Sequence, residues 1–233
     1  MGKSLTSQKR GKGSPTYRVN SFKYAGETSH LLSSKGEIVD IIKSVSHTAP
    51  LLLIKYKDEN QNLVVAPEGV KVGDILEKGD AVEIKIGNTL PLGKIPEGTF
   101  IFNIESTPGD GGKMVRSSGG TAKILAKTKN KVVVKLPSNK QKEFNPKCLA
   151  MIGLIAGSGR PEKPFLKAGN KFKLMKAKGK YWPIVSAAAM NAVDHPYGGS
   201  RSSRKGRPTI APRNAPPGRK VGMIRPRHTG RNK

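Results

Sequence analysis

Charge in this 233-residue chain is unevenly placed, gathered at the two ends and in the second half. Lys and Arg number 43 against 16 Asp and Glu, a formal net charge of +27. Residues 1–34 hold 6 basic side chains and 1 acidic one, and residues 35–108 hold 8 against 11. Residues 109–180 hold 18 against 3, and residues 181–233 hold 11 against the single acid Asp194. The last segment also carries 7 Pro and 6 Gly among 53 residues with few apolar side chains, so it cannot offset its own ordering entropy. Both ends are therefore expected to order only against a partner, and that partner must be a polyanion. Nucleic acid fits. A membrane surface does not, because basic stretches broken by Gly and Pro cannot lie down as an amphipathic helix. The longest apolar runs, 50–54 and 148–156, fall far short of the roughly 20 residues a membrane span needs. Residues 1–24 contain no apolar signal region, so a cytoplasmic location is expected.

The middle of the chain reads as mainly β, two small barrels in tandem. Residues 37–42, 50–57, 62–66, 81–86 and 99–105 are short β-branched runs separated by turn clusters such as Pro67-Glu68-Gly69 and Pro96-Glu97-Gly98. Five such strands predict a first barrel over 35–108. Residues 121–127 and 131–136 flank a polar Thr-Lys-Asn turn and predict a hairpin, and 149–155 predicts a further strand that closes a second barrel over 109–180. Helix is expected to be scarce: a turn at 90–95, another at 146–151, and slightly more at 185–192. Residues 1–34 and 181–233 are then basic extensions. Small barrels of this kind commonly present nucleic acid-binding faces.

In the extensions, Gly lets the backbone approach phosphates, Pro keeps it extended, and Arg supplies a forked donor and a plane for stacking. The alternative for such a tail is a solvated segment or a localisation signal; the Arg residues here are dispersed rather than clustered in one block. Arg10, Lys12, Tyr17 and Arg18 are RNA-contact candidates at the N-terminus. Gly109, Gly111 and Gly112, with Gly119-Gly120 further on, lack the Lys-Ser/Thr and helix start of a nucleotide loop. They are expected to link the barrels, with Lys113 and Arg116 reaching phosphates. In the C-terminal tail the candidates are Arg201, Arg204, Lys205, Arg207, Arg213, Arg219, Arg225 and Arg227.

Asp194 followed by His195 invites an acid–base reading. Adjacent residues of an extended segment point to opposite sides, so a dyad needs a turn, which Pro196 and Gly198-Gly199 could supply. The competing reading makes His195 an RNA contact and gives Asp194 a backbone N–H or a cation as partner. His30 and His47 show no metal-ligand spacing and are expected in loops or at the surface. Tyr181 and Trp182 either stack on bases or anchor the tail. Cys148, the only cysteine, excludes an internal disulfide and a multi-cysteine zinc site and is expected to be a buried thiol.

The string Ala189-Met190-Asn191-Ala192-Val193-Asp194-His195-Pro196-Tyr197-Gly198-Gly199 resembles the signature of the universal large-subunit ribosomal protein L-two family. Gly13-Ser14-Pro15-Thr16-Tyr17-Arg18, Ala49-Pro50-Leu51-Leu52-Leu53, Ala66-Pro67-Glu68-Gly69, Ile95-Pro96-Glu97-Gly98-Thr99 and Glu162-Lys163-Pro164-Phe165-Leu166 are similar to its archaeal type. The resemblance implies an oligonucleotide/oligosaccharide-binding (OB-fold) barrel followed by an SH3-like barrel, with both tails in large-subunit rRNA. It also implies roles in subunit assembly and association, tRNA placement and the peptidyl transferase region. Met190, Asn191, Asp194, His195, Gly198 and Gly199 become RNA-contact candidates on that basis. Implied partners are large-subunit rRNA, other large-subunit proteins and the small subunit at an intersubunit contact, without membrane or homo-oligomer. No cofactor is implied beyond magnesium held with the rRNA, and peptidyl transfer is assigned to RNA, with His195 in a supporting role at most. Three positions depart from the pattern: Ser186-Ala187 stands where Arg-Gly is usual, and Ser200 where a third Gly is common. A DNA-compacting or translation-factor-like protein is the competing binding function.

Overall fold

Short β-branched runs bounded by turn residues have few ways to satisfy their backbone other than pairing edge to edge. The computed structural model describes residues 2–19, 22, 24–199 and 207–223. Its strands are β1 (Lys35–Ile42), β2 (Leu51–Lys55), β3 (Gln61–Val65), β4 (Ile75–Glu77), β5 (Thr89–Pro91), β6 (Phe100–Phe102), β7 (Ala122–Lys127), β8 (Val132–Lys135), β9 (Gln141–Phe144) and β10 (Leu149–Ile152). They form a four-stranded sheet in the order β3-β2-β1-β4 and a six-stranded sheet in the order β5-β10-β6-β7-β8-β9. Every ladder is antiparallel. The fold is mainly β, as expected. The β7–β8 hairpin also lies where the pattern puts it, closed by Thr128 N–H to the Lys131 carbonyl at 2.8 Å.

Three sequence expectations need correction. Residues 81–86 form no strand: Lys85 N–H turns back to the Glu83 carbonyl and the Asn88 side chain caps the same oxygen, so the segment satisfies itself locally. Its Ile84 and Ile86 stay exposed. Strand β6, counted with the first barrel, is hydrogen-bonded between β10 and β7 in the second sheet, and β5 joins the same sheet. Two helices went unpredicted, α1 (Thr6–Gly11) and α2 (Ala168–Ala177), neither with a buried residue whose periodicity could have marked it.

Residues 21–166 make one compact unit; residues 1–20 and 167–233 make another. In the first unit, one core gathers Ile38, Leu52, Ile54, Tyr56, Val64 and Leu76, and a second gathers Leu92, Ile95, Ile124, Val134, Phe144 and Cys148. Strands β6 and β10 divide their side chains between the two. Phe102 and Met151, paired across the ladder, enter the first core, whereas the adjoining pair Ile101 and Ile152 enters the second. Each such fully buried side chain contributes about 1.5–3 kcal/mol. Cys148 is a buried free thiol, and burial pushes its pKa up, in keeping with an inert core residue.

His30 is not at the surface. It is 3% exposed, neither ring nitrogen has a hydrogen-bond partner, and burial lowers its pKa to about 4. It belongs to a segment held by Asn62, whose amide donates to the His30 carbonyl at 2.9 Å, and by Lys78, whose ammonium donates to the Leu31 carbonyl at 2.8 Å. His47 is part-buried and stacks on Tyr24 with ring centroids 5.6 Å apart.

Candidate nucleic-acid interface

The two ends of the chain meet in one unit that has almost no apolar interior. Among its described residues only Leu5, Tyr197 and Ala211 are buried hydrophobics. Helix α1 starts with the Leu5 N–H held by the Gln8 side-chain carbonyl at 2.8 Å and ends on Lys9 and Arg10, whose charge suits a helix C-terminus. Arg10, Lys12 and Arg18 are exposed and Tyr17 part-buried. Helix α2 ends in a two-bond C-cap, with Gly179 N–H on the Lys176 carbonyl and Lys180 N–H on the Met175 carbonyl. Gly179 has φ +62°, and a Cβ there would strike the Arg18 backbone, so the cap doubles as the seat of the N-terminal segment. Lys171 lies over the part-buried Trp182 ring at 5.5 Å, an anchoring contact for the residue after the helix.

The segment 190–199 is a closed loop. Asp194 and His195 both turn their N–H groups onto the Asn191 carbonyl at 3.0 and 3.2 Å, and Gly199 N–H returns to the Met190 carbonyl at 3.1 Å. A Cβ on Gly198 would collide with the Met190 and Asn191 carbonyls, so this crossing admits only glycine. Asp194 and His195 therefore sit on a turn, not an extended strand, yet they find separate partners. The Asp194 carboxylate lies 3.5 Å from the Lys3 ammonium, and Lys3 N–H donates to the Val193 carbonyl. His195 Nδ1 accepts the Tyr197 amide at 3.0 Å, which puts the proton of the neutral ring on Nε2. Burial lowers the His195 pKa, favouring that neutral form.

Buried Tyr197 carries the loop onto the tail. Its hydroxyl reaches the carbonyls of Val221, Thr209 and Pro208 at 3.2, 3.3 and 3.4 Å, and Gly222 leaves the room it needs. Ala211 N–H on the Met223 carbonyl and Met223 N–H on the Thr209 carbonyl tie the two tail passages together. Arg207, Arg213 and Arg219 project from them, exposed. Arg10, Met190, Asp194 and His195 line one open cavity of about 850 Å³, together with Lys180, Tyr181 and Lys220. Lys3, Lys180 and Lys220 were not singled out from the sequence, where nothing separates them from other lysines. Arg201, Arg204, Lys205, Arg225 and Arg227 lie outside the described residues.

Lys113 and Arg116 belong to the other unit. There Glu105, 1% exposed, accepts the amides of Leu149, Gly109 and Gly111 at 2.8, 3.2 and 3.2 Å and so shapes the glycine-rich loop. Lys113 is exposed. Arg116 is part-buried and already donates to the Gly112 and Thr28 carbonyls at 2.9 and 3.0 Å, so much of its donor capacity goes to holding the loop.

This arrangement places exposed cations around a glycine-shaped loop, with a neutral histidine and no metal-binding group of His, Cys, Asp or Glu among the described residues. It suits a partner of phosphates and planar bases. The family model described as Ribosomal Proteins L2, C-terminal domain, matches residues 85–219. The chain is 50% identical over 235 residues to large ribosomal subunit protein uL2 of Methanocella arvoryzae, covering 99% of both chains. It is 49% identical to the protein of that name from Halorubrum lacusprofundi, and 48% identical to that from Haloarcula marismortui, each over 99% of this chain and 98% of the relative. A family model matched over more than half of the residues, and relatives this similar along their whole length, make the chain a member of the ribosomal protein L2 (uL2) family, of archaeal type.

Proposed function

We propose that the chain is a structural constituent of the large ribosomal subunit that binds large-subunit rRNA through both ends, the loop 190–199 and the Lys113 segment. The observation that carries this reading is near-full-length similarity to proteins named for that subunit. The exposed arginines of the tails would neutralise phosphates, with affinity drawn from counterion release and RNA shape. The four-stranded sheet of residues 35–77 and the six-stranded sheet of residues 89–152 act as OB-fold and SH3-like platforms. Assembly of the subunit, its association with the small subunit, tRNA placement and support of the peptidyl transferase region follow from such a position. Other large-subunit proteins are neighbours, magnesium accompanies the rRNA, and the place of action is the cytoplasm.

A catalytic reading of His195 gains nothing from the geometry, because Asp194 is engaged by Lys3 and His195 Nδ1 by an amide. His195 serves as an RNA contact with its Nε2–H. Deleting residues 186–233 is expected to reduce incorporation into large subunits; incorporation at wild-type occupancy into fully active subunits would refute the role of the tail. Preference for duplex DNA over structured RNA at matched salt would favour the DNA-compacting alternative. His195→Ala is expected to leave peptide-bond formation intact in correctly assembled subunits.

A further inference from the structure

Four neighbouring strands of the second sheet, β6 to β9, carry an outward row that neither the loop nor the tails explain. Directly opposed residues of antiparallel strands share a face. The register sets Phe100 opposite Lys123, Lys123 opposite Lys135, and Lys135 opposite Gln141. All four are exposed, while Ile101, Ala122, Ile124 and Val134 beside them are buried, so the row lies on the outer surface. Phe100 is 48% exposed, so much of its ring face is open to a flat partner. On its other flank Gly153 donates to the Phe100 carbonyl at 2.9 Å and brings no side chain. A Cβ on Gly153 would come within 3.1 Å of Ile86, itself 55% exposed. The order across the surface is thus an apolar ledge, a ring and two cations. Lys123 Nζ stands 5.8 Å from the ring centroid, and neither Lys123 nor Lys135 forms an ion pair among the described residues. Strand spacing puts the Lys135 position about 10 Å from that of Phe100.

We propose that Phe100, Lys123 and Lys135 form a site for one unpaired RNA nucleotide, its base stacked on Phe100 beside Ile86 and its flanking phosphates held by the two ammonium groups. The site rests on the RNA-binding reading above and adds a contact on the folded sheet that depends on neither tail. Base stacking on an aromatic ring exceeds the hold of an exposed ammonium over the same ring, so Lys123 exchanges the ring for a phosphate when the base arrives. An acidic peptide would match the lysines but offers Phe100 nothing flat. Duplex RNA offers phosphates but keeps its bases stacked inside.

The test measures affinity of the full chain for a 12-nucleotide oligouridylate and for a blunt RNA duplex of the same length, across a salt series. Phe100→Leu keeps the apolar bulk and removes the π face; it is expected to lower oligouridylate affinity about 5- to 100-fold and leave duplex affinity unchanged, while Phe100→Tyr retains binding. Replacing Lys123 and Lys135 by Gln is expected to flatten the single-strand salt slope by about 1.4. If wild type binds both RNAs with a steep salt dependence and Phe100→Leu leaves their affinity ratio unaltered, the nucleotide site is overturned and the RNA-binding reading stands. If the lysine variant keeps the wild-type slope, the phosphate contacts are overturned. Wild type that binds neither RNA overturns both readings together.

Discussion

His30 shows how much one residue can impose on this protein. A buried imidazole with unpartnered nitrogens tolerates the neutral ring and resists the charged one. Its pKa is lowered from 6.5 to about 4 in the folded state, so between those values the unfolded chain binds more protons. The folded state therefore keeps its full stability from this group above pH 6.5 and loses it as the pH falls toward 4, by about 3 kcal/mol at the lower limit. His30→Met is expected to flatten this part of the pH dependence, read as the difference in urea midpoints between pH 7 and pH 4.5. An unchanged difference would show that His30 does not titrate in this way. Glu105 is the opposite case, a buried carboxylate made tolerable by three amide donors. Glu105→Ala orphans those donors and is expected to cost about 3 kcal/mol or more in urea unfolding, with Glu105→Gln costing less because it retains an acceptor.

At the level of elements, the loop 190–199 is shaped by backbone closure and by Tyr197, with charge playing a smaller part. Gly198→Ala forces a methyl group into the Met190 and Asn191 carbonyls, so the loop must open. Faster hydrogen exchange at the Gly199 amide, with the strands of the two sheets unaffected, is the expected result; unaltered exchange would mean that the crossing is looser than its geometry. The strands were legible where apolar runs were bounded by Gly or Pro, as in β2 and β7. Helix α2 was not, because Lys-rich Ala168–Ala177 buries no face and leaves no period to read. Residues 81–86 misled for the converse reason: alternation was present, but only Val82 found a core to pack on.

Taken whole, the protein separates its basic ends from the parts that supply its apolar interior. The sheets hold the apolar interior, and the described parts of the ends bury only Leu5, Tyr197 and Ala211. This division was legible in the Pro- and Gly-rich, apolar-poor composition of residues 181–233, as was the loop 190–199 through its resemblance. The partner of Asp194 was not, since Lys3 is nearly two hundred residues away in sequence and only the fold pairs them. Raising salt is expected to weaken RNA binding steeply while shifting the urea midpoint little. The sharing of β6 and β10 between two interiors also sets an order on synthesis. Because Phe102, Met151 and Ile155 complete the interior of the first sheet, residues 35–77 emerge from the translating ribosome well before the side chains that seal them. A nascent chain of which only residues up to 108 have cleared the ribosome should therefore remain open to protease, and one from which residue 160 has also cleared it should abruptly resist.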